Sequence, residues 1–224
     1  NNIPVDDNGF ERPAAQIPTN SLSTREKNDG WQLLFDGKTL NHWRGYNEDH
    51  ISVAWQIDQD SMSLDTSQKV DGGFKGHGAY SIITKEKYQD FELNLEWKVE
   101  KGGNSGIMYN SVEGEQYKYA FETGMEMQVL DNFHHEDSLL KHRAGDLYDL
   151  ISCKFVTANP HEIWNRVRII SKNGHVQHWL NGYKVVEYEM HTPEFWDMVE
   201  NSKWKKYPDY GKTKDGHIAL QAHS

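Results

Sequence analysis

The stretch "IISKNGHVQHWLNGYKVVEYE", residues 169–189, predicts three consecutive antiparallel β-strands. Its Asn-Gly pairs at 173–174 and 181–182 are the preferred residues of type I′ hairpin turns, because both turn positions need a positive φ angle. Runs that alternate between apolar and polar residues flank each pair, which is typical of strands with one buried face. This part of the chain therefore indicates an antiparallel meander.

Strand candidates recur at short spacing along most of the chain. They lie at 53–57, 79–84, 91–99, 105–110, 125–130, 164–171, 175–180, 183–189 and 217–221. One helix is expected in "PEFWDMVENSKW", where Thr192 can cap the first turn and Pro193 suits it. Strands and helices do not alternate along the sequence, as they would in a protein with a parallel sheet. The sequence therefore predicts an all-β fold, a single antiparallel sandwich with one short helix.

The first part of the chain has a different texture from the rest. Residues 1–29 hold three of the six prolines and show no periodicity, so we expect a tail or tether followed by one domain over residues 30–224. No stretch approaches the roughly 18 apolar residues of a membrane-spanning helix, and no signal-peptide core is present. We therefore expect no direct membrane insertion, and either a cytosolic protein or a targeting segment outside this sequence.

Charge and composition exclude several classes of partner and site. The formal net charge is −10, from 24 Lys+Arg against 34 Asp+Glu, and such a surface repels phosphate backbones, so no nucleic acid partner is expected. The single cysteine, Cys153, excludes an internal disulfide and a cysteine-rich zinc site. Eight Trp and eleven Tyr suit a β-rich core and also the stacking of sugars.

The stretch "GMEMQVLDN", residues 124–132, places polar side chains on one face of a strand. With a period of two, two methionines and a valine point one way, while Glu126 and Gln128 point the other. Retaining glycosidases of the laminarinase kind set two carboxylates at i and i+4, about 5 Å apart. Here Leu130 follows at i+4, and Glu122 lies in a segment that resembles a loop. The pattern argues against that mechanism, and a two-carboxylate hydrolase using Glu122 and Glu126 stays an alternative.

Two loop segments carry further candidate groups. "GGNSGIMYN", residues 102–110, lacks the ending of a phosphate-binding loop and reads as a turn into a strand, although Asn104 and Ser105 could donate to sugar hydroxyls. "HHEDSLLKHRAGDLYDL", residues 134–150, gathers several His, Glu and Asp residues. A solvated acidic loop is the favoured interpretation, and a divalent metal site that shares Glu126 is the alternative.

Seven motifs occur in an order that resembles a known family. They are "WQLLFDGKTLNHWRG", "GGNSGIMY", "GMEMQVLDN", "RAGDLYDLI", "WNRVRII", "HVQHWLNGYKVVEYE" and "GHIALQ". From about Trp31 to Gln221 the chain resembles the 3-keto-disaccharide hydrolase family. The resemblance implies a concanavalin A-like jelly roll of two sheets, related in shape to glucanases and lectin modules. It also implies an exported protein, periplasmic or at the cell envelope, and a lipid anchor on a removed N-terminal segment is compatible with this.

The resemblance further implies a carbohydrate substrate, a glycoside whose C3 hydroxyl has been oxidised to a ketone. The ketone acidifies the proton on C2, so one base can form an enolate that expels the glycosidic oxygen from C1. Water can then add to the resulting enone. Such a site needs a base, an acid for the leaving oxygen and an electrophile for the enolate. Some family members are thought to use a divalent metal ion as that electrophile.

The same resemblance suggests site residues. Glu126 is expected to be the base or a metal ligand, and His142 its acid/base partner or a second metal ligand. Arg143 and Asn104 are expected to contact the substrate or the enolate. The other expected substrate contacts are Ser105, Tyr109, Gln128, Tyr148, Asn165 and His178, although a histidine on an apolar face such as His178 is more typical of a core.

Two expectations remain open from the sequence. A catalytically silent carbohydrate-binding module on the same fold is the rival function, because the scaffold serves lectins and enzymes alike. After "GHIALQ" the family usually continues into a last strand, whereas here Ala222 follows and the sequence ends at Ser224. We therefore expect an open sheet edge at this strand, and Gln221 and His223 are not assigned to the site.

Overall fold

A computed structural model of the protein describes residues 20–70, 73–74 and 81–223. Most of the predicted tail, residues 1–19, lies outside the described residues, as do the first two residues of the strand predicted at 79–84. The remaining tail residues contain a short helix, α1 (Thr24–Asn28), which begins with a capping box formed by Ser23 and Glu26. The Asn20 side chain also donates to the Asp60 carbonyl at 2.7 Å. This part of the predicted tether is therefore attached to the domain.

The rest of the described chain contains thirteen strands, a second α-helix and three short 3₁₀ helices. The helix, α2 (Pro193–Glu200), begins after the cap Thr192 as predicted and ends four residues before the predicted end. The strands are β1 (Trp43–Gly45), β2 (Trp55–Asp58), β3 (Ser61–Leu64), β4 (Lys69–Val70), β5 (Gly73–Phe74), β6 (Ser81–Thr84), β7 (Phe91–Trp97), β8 (Asn104–Ser111), β9 (Met125–Leu130), β10 (Asn165–Lys172), β11 (His175–Leu180), β12 (Tyr183–Glu189) and β13 (His217–Gln221).

Two antiparallel sheets pack face to face. The five-stranded sheet has the order β1-β6-β13-β8-β9, and the four-stranded sheet has the order β12-β11-β10-β7. Every neighbouring pair in both sheets is antiparallel. Two short hairpins, β2–β3 and β4–β5, lie outside these sheets. This arrangement confirms the predicted two-sheet jelly-roll sandwich, and no helix of the described part is long and apolar enough to cross a bilayer.

The local sequence explains the hairpins of the four-stranded sheet. Asn173 and Gly174 have φ angles of 53° and 86°, and Asn181 and Gly182 have 51° and 88°. These are the two positive φ angles of a type I′ turn, whose twist matches that of the strands it joins. Both predicted hairpins are therefore confirmed.

The alternation of β9 decides which face is core. Met125, Met127 and Val129 are buried between the two sheets, where they join Ile107 of the paired strand β8 and Val167 of the opposite sheet. Full burial of such a side chain contributes about 1.5–3 kcal/mol to the free energy of folding. The inward set of β9 is therefore fixed by the core, and Glu126 and Gln128 are directed to the outer face.

A buried polar network joins the two sheets. The Tyr109 hydroxyl lies 2.7 Å from His178 Nε2 and 2.6 Å from the Tyr188 hydroxyl. His178 Nδ1 lies 3.2 Å from the Gly145 carbonyl, which can only accept, so Nδ1 donates there and Nε2 accepts from Tyr109. Burial lowers the pKa of His178 to about 4, although the hydrogen bond to Gly145 offsets part of this effect. The low pKa keeps the ring neutral at pH 7.

The last strand lies inside its sheet. β13 pairs with β6 on one side and with β8 on the other, so the expected open edge does not occur at this strand. The edges of the five-stranded sheet are β1 and β9. Hydrogen bonds from the segment 145–148 cover the free edge of β9 next to Glu126 and Gln128. The sheet edge that carries the candidate site is therefore protected.

Candidate functional site

Three polar side chains form a strip on the outer face of the five-stranded sheet. Glu126 and Gln128 of β9 lie opposite Met108 and Gly106 of β8, and the Gln128 amide donates to the Asn104 side chain at 3.1 Å. Glu126 is only 2% exposed, so it does not face bulk solvent. We call Glu126, Gln128 and Asn104 the polar strip.

A glycine makes room for the Glu126 carboxyl group. A Cβ atom placed on Gly106 would lie 1.8 Å from Glu126 Oε1, far inside van der Waals contact. The Glu126 side chain therefore lies across the backbone of β8, over the one position of the neighbouring strand that has no side chain. The glycine of "NSG" is explained by this close approach rather than by a turn.

The Glu126 carboxyl group has an unusual electrostatic environment. Among the described residues, no hydrogen-bond donor contacts its oxygens. Burial raises the pKa of Glu126 to about 8, and the nearby positive charge of Lys203 offsets this only in part. A carboxyl group with a pKa close to neutral pH can both take up and release a proton, as general acid–base catalysis requires.

Lys203 supplies the positive charge beside Glu126. It opens a 3₁₀ helix, Lys203–Lys206, that follows α2, and its Nζ atom lies 3.8 Å from the centre of the Tyr148 ring and 4.8 Å from that of Trp204. Burial lowers the pKa of Lys203, while the charges of Asp149, Glu126 and Asp137 raise it. The ammonium group is thus held against aromatic faces between carboxylates.

The segment after residue 141 brings Tyr148 to the strip. Its backbone pairs with the edge of β9, since the Tyr148 amide donates to the Glu126 carbonyl at 3.0 Å and the Gly145 amide donates to the Gln128 carbonyl at 2.8 Å. The Asp146 carboxylate fixes this turn by accepting from the Arg143 and Cys153 amides at 2.7 Å and 2.6 Å. Tyr148 therefore lies beside Glu126 on the edge of β9, with its ring against Lys203.

His142 lies behind Tyr148 with both ring nitrogens occupied. Nδ1 lies 2.6 Å from an Asp137 oxygen and Nε2 lies 3.1 Å from an Asp149 oxygen, and the ring packs 4.3 Å from that of Tyr148. The structure therefore places His142 close to the expected site, but as a buried support for Tyr148 and Asp149. No ring nitrogen remains for a substrate.

The expected metal site of Glu126 and His142 does not fit the structure. Both nitrogens of His142 face carboxylates, and the only group of three or more suitable ligand atoms in the described part of the chain lies elsewhere. Arg143 also does not supply the charge at Glu126. Its charge acts on Asp146 and its Nε atom is buried without a partner.

Four predicted substrate contacts lie away from the polar strip. Tyr109 and His178 are completely buried in the network between the sheets. Ser105 follows Asn104 on the strand and so faces the other way, where its hydroxyl donates to the Gln221 carbonyl at 2.8 Å. Asn165 is buried at the start of β10, where its oxygen accepts from the Asn181 side chain at 2.8 Å. These side chains support the fold rather than a ligand.

The two-carboxylate alternative gains no support. Glu122 ends a 3₁₀ helix, Ala120–Glu122, and its Oε1 atom accepts from the amides of Lys118 and Tyr119 at 3.0 Å and 3.1 Å. The Glu122 carboxylate is therefore engaged in capping its own 3₁₀ helix. No strand places it opposite Glu126, since β9 begins at Met125.

Comparisons with known proteins show which family and fold the chain resembles. The family model described as a 3-keto-alpha-glucoside-1,2-lyase-like domain matches residues 30–224. A 3-keto-disaccharide hydrolase of Bacteroides thetaiotaomicron is 32% identical, and the match covers 95% of this chain and 78% of that protein. A crystal structure of a candidate glycosyl hydrolase from Parabacteroides distasonis has a TM-score of 0.81 and 28% identity, with 92% and 93% of the two chains covered. A second such protein from that organism shares the fold, with a TM-score of 0.57, 21% identity, and 84% and 88% covered.

Proposed function

Because the chain belongs to the family of 3-keto-α-glucoside-1,2-lyase-like domains and is a carbohydrate-processing enzyme, we propose that it cleaves glycosides that carry a ketone at C3. The proposed reaction begins with removal of the proton on C2, which is acidic because it is adjacent to the ketone. It continues with loss of the glycosidic oxygen from C1. The relative from Bacteroides thetaiotaomicron that carries the name 3-keto-disaccharide hydrolase supports this substrate class.

Glu126 is the proposed base. In its ionised form the carboxylate takes the C2 proton, and the electrons of the C2–H bond form the enolate across C2 and C3. A pKa of about 8 makes Glu126 a much stronger base than an exposed glutamate while still leaving a useful ionised fraction near neutral pH. No described residue donates a hydrogen bond to its oxygens, so no such bond has to break before the carboxylate takes a proton.

Lys203 is the proposed electrostatic partner of the enolate. Negative charge develops on the C3 oxygen as the proton leaves, and an ammonium group held in a fixed position stabilises such charge. The charge of Lys203 acts on Glu126, and its ammonium group is held by the rings of Tyr148 and Trp204. This role needs no metal ion at Glu126, which agrees with the engaged nitrogens of His142.

The second half of the reaction restores the base. The C1–O bond breaks as the C1=C2 double bond forms and the C3 ketone returns, and the proton held by Glu126 passes to the leaving oxygen. Addition of water to the enone, with hydroxide at C1 and a proton at C2, then gives the free 3-keto sugar. The net reaction is hydrolysis without a nucleophilic carboxylate.

One observation carries this proposal. The buried Glu126 carboxyl group has a strongly raised pKa and is subject to the charge of Lys203, whereas Glu122, the candidate second carboxylate, accepts from backbone amides of its own turn. Strongly raised carboxyl pKa values cluster at sites of proton transfer, where the pKa has to match the task of the group. The pair therefore favours proton transfer over simple binding of sugars.

The test compares an oxidised and an unoxidised disaccharide with the same linkage. The protein should cleave the 3-keto disaccharide and leave the parent sugar intact, and deuterium at C2 should slow cleavage several-fold. Glu126→Gln should lower kcat/KM by at least about 10³-fold, in the upper range for a positioned base. The exposed Glu115→Gln serves as the control and should keep full activity. Full activity of Glu126→Gln, or equal cleavage of both sugars, would overturn the proposal.

A further inference from the structure

A second cluster of polar side chains lies beyond the C-terminal end of β9. Asp131 directly follows this strand, His134 lies in the loop after it, and His161 lies in the loop that leads to β10. Asp131 is almost completely buried, whereas the two histidine side chains are 37% and 27% exposed. A buried carboxylate with two accessible imidazoles is a common donor set for a divalent transition metal.

The distances within the cluster match those between ligands of one ion. An Asp131 Oδ2 atom lies 2.9 Å from His134 Nδ1 and 3.5 Å from His161 Nδ1, and all three donor atoms lie within 4.8 Å of one another. Ligand atoms at zinc-bond lengths of 2.0–2.2 Å are about 3.3–3.6 Å apart in a tetrahedral site. Only small side-chain rotations separate the observed positions from such a site.

An unsatisfied nitrogen points to a missing partner. His161 Nδ1 is buried and has no hydrogen bond among the described residues, although it is the atom that faces Asp131. Buried polar atoms in proteins are almost always satisfied, so an orphan nitrogen that faces a carboxylate needs an explanation. A metal ion between the two groups would satisfy it.

The backbone holds the carboxylate ready for this role. Asp131 Oδ2 accepts from the Gly102 amide at 2.9 Å, and Oδ1 accepts from the Phe133 amide at 3.1 Å. The rings of His134 and His161 meet edge to face, with centres 4.8 Å apart. Second-shell hydrogen bonds of this kind orient metal ligands before the ion binds.

We propose that Asp131, His134 and His161 bind one divalent transition-metal ion of the zinc type, separate from the polar strip. Four residues of β9 lie between Glu126 and Asp131, and the five residue steps correspond to about 17 Å along the strand. The ion would therefore not touch a sugar held at Glu126. It would join the β7–β8 turn, the loop after β9 and the loop before β10, and so stabilise the fold.

The test titrates zinc into protein freed of metal with a chelator. Wild-type protein should bind one ion at this site and should show a higher melting temperature with zinc than without it. His134→Ala and His161→Ala should each weaken binding at least about 100-fold, because each removes a direct ligand. Asp131→Asn should do the same while its side-chain oxygen can still accept from a backbone amide.

Two controls make the result specific. His42→Ala removes an exposed histidine outside the cluster, and Glu126→Gln removes the carboxylate of the polar strip. Both should bind zinc as the wild type does, and circular dichroism should show that every variant is folded. Lack of zinc binding by the wild type, or unchanged binding by His134→Ala and His161→Ala, would overturn the proposal and leave an Asp131 that only pairs with two histidines.

Discussion

The carboxyl group of Glu126 is held in a place that disfavours its charge. Its pKa is about 8 in the folded protein, against a value near 4.5 for an exposed glutamate. Between these two pH values the unfolded chain has lost the proton and the folded chain has kept it. The free energy of unfolding must therefore fall as the pH rises from about 4.5 to about 8. Each pKa unit corresponds to about 1.4 kcal/mol, so the full effect is a few kcal/mol.

This linkage gives the first prediction. Glu126→Gln removes the ionisable group but keeps the shape, so the variant should be more stable than the wild type by a few kcal/mol at pH 9 and by much less at pH 5. Urea unfolding at both pH values measures the difference. Equal stability differences at pH 5 and pH 9 would contradict a buried carboxyl group with a raised pKa.

Gly106 is the second residue whose identity the site requires. In Gly106→Ala the new methyl group would occupy the position of Glu126 Oε1, and the flexible carboxyl end must move away. We expect a folded protein whose kcat falls at least about tenfold, since misplacement by about 1 Å can cost about 100-fold in rate. Gly114→Ala, where the Gln116 side chain must move instead, provides the control and should keep its activity. Full activity of Gly106→Ala would show that the observed position of the carboxyl group is not needed.

At the scale of elements, the loop after residue 141 connects the strip to the 3₁₀ helix at residues 203–206. Asp149 is the link, because one of its oxygens contacts His142 Nε2 and the other accepts from the Lys203 amide at 3.1 Å. Its charge also raises the pKa of Lys203 against the effect of burial. A substitution of Asp149 should therefore change the pKa of Lys203.

Asp149→Asn tests this link. Asparagine tolerates the positive φ angle of 61° at this position, so the backbone should be preserved. Loss of the charge lowers the pKa of Lys203 further, and the decline of kcat/KM at high pH should begin at a lower pH than in the wild type. The exposed Asp215→Asn is the control and should leave the profile unchanged. A profile that does not move would exclude a charged Lys203 from the reaction.

The elements that the sequence predicts best are those with local signals. The Asn-Gly turns, the cap at Thr192 and the alternation of β9 depend only on neighbouring residues, and the structure has each of them. Glu126, Gln128 and Asn104 could be grouped because they occupy outward positions on paired strands. Lys203 could not, because only the three-dimensional path of the chain after α2 brings it beside Glu126. The one local signal for Lys203 is its place directly before Trp204 in a short 3₁₀ helix that is rich in lysine.

The alternation of side-chain direction along β8 also explains why some expected substrate contacts lie away from the polar strip. Adjacent residues of a strand face opposite sides, so Asn104 and Ser105 cannot both line one groove. Tyr109 shares the inward set of Ser105 and therefore reaches the core. For His178 the only local signal is its apolar neighbours, because its hydrogen-bond partners, Tyr109 of β8 and the Gly145 carbonyl, lie far away in the sequence.

At the scale of the whole molecule, a buried hydrogen-bond network connects the two sheets through Tyr109, His178 and Tyr188. The Tyr109 hydroxyl serves both His178 and Tyr188, so Tyr109→Phe leaves two buried groups without a partner. Tyr188→Phe removes one bond and leaves the contact of Tyr109 with His178 intact. We expect Tyr109→Phe to cost about 1–3 kcal/mol and Tyr188→Phe clearly less, as measured by urea unfolding at pH 7. Equal costs would mean that the network does not act through Tyr109.

The central position of β13 has a consequence for how the protein is made. β6 and β8 meet only through residues 217–221, although about 110 residues separate β8 from this strand in the sequence. While the ribosome is still synthesising the chain, the two halves of the five-stranded sheet have nothing between them to pair with. The five-stranded sheet that positions Glu126 can therefore be completed only after β13 has left the exit tunnel.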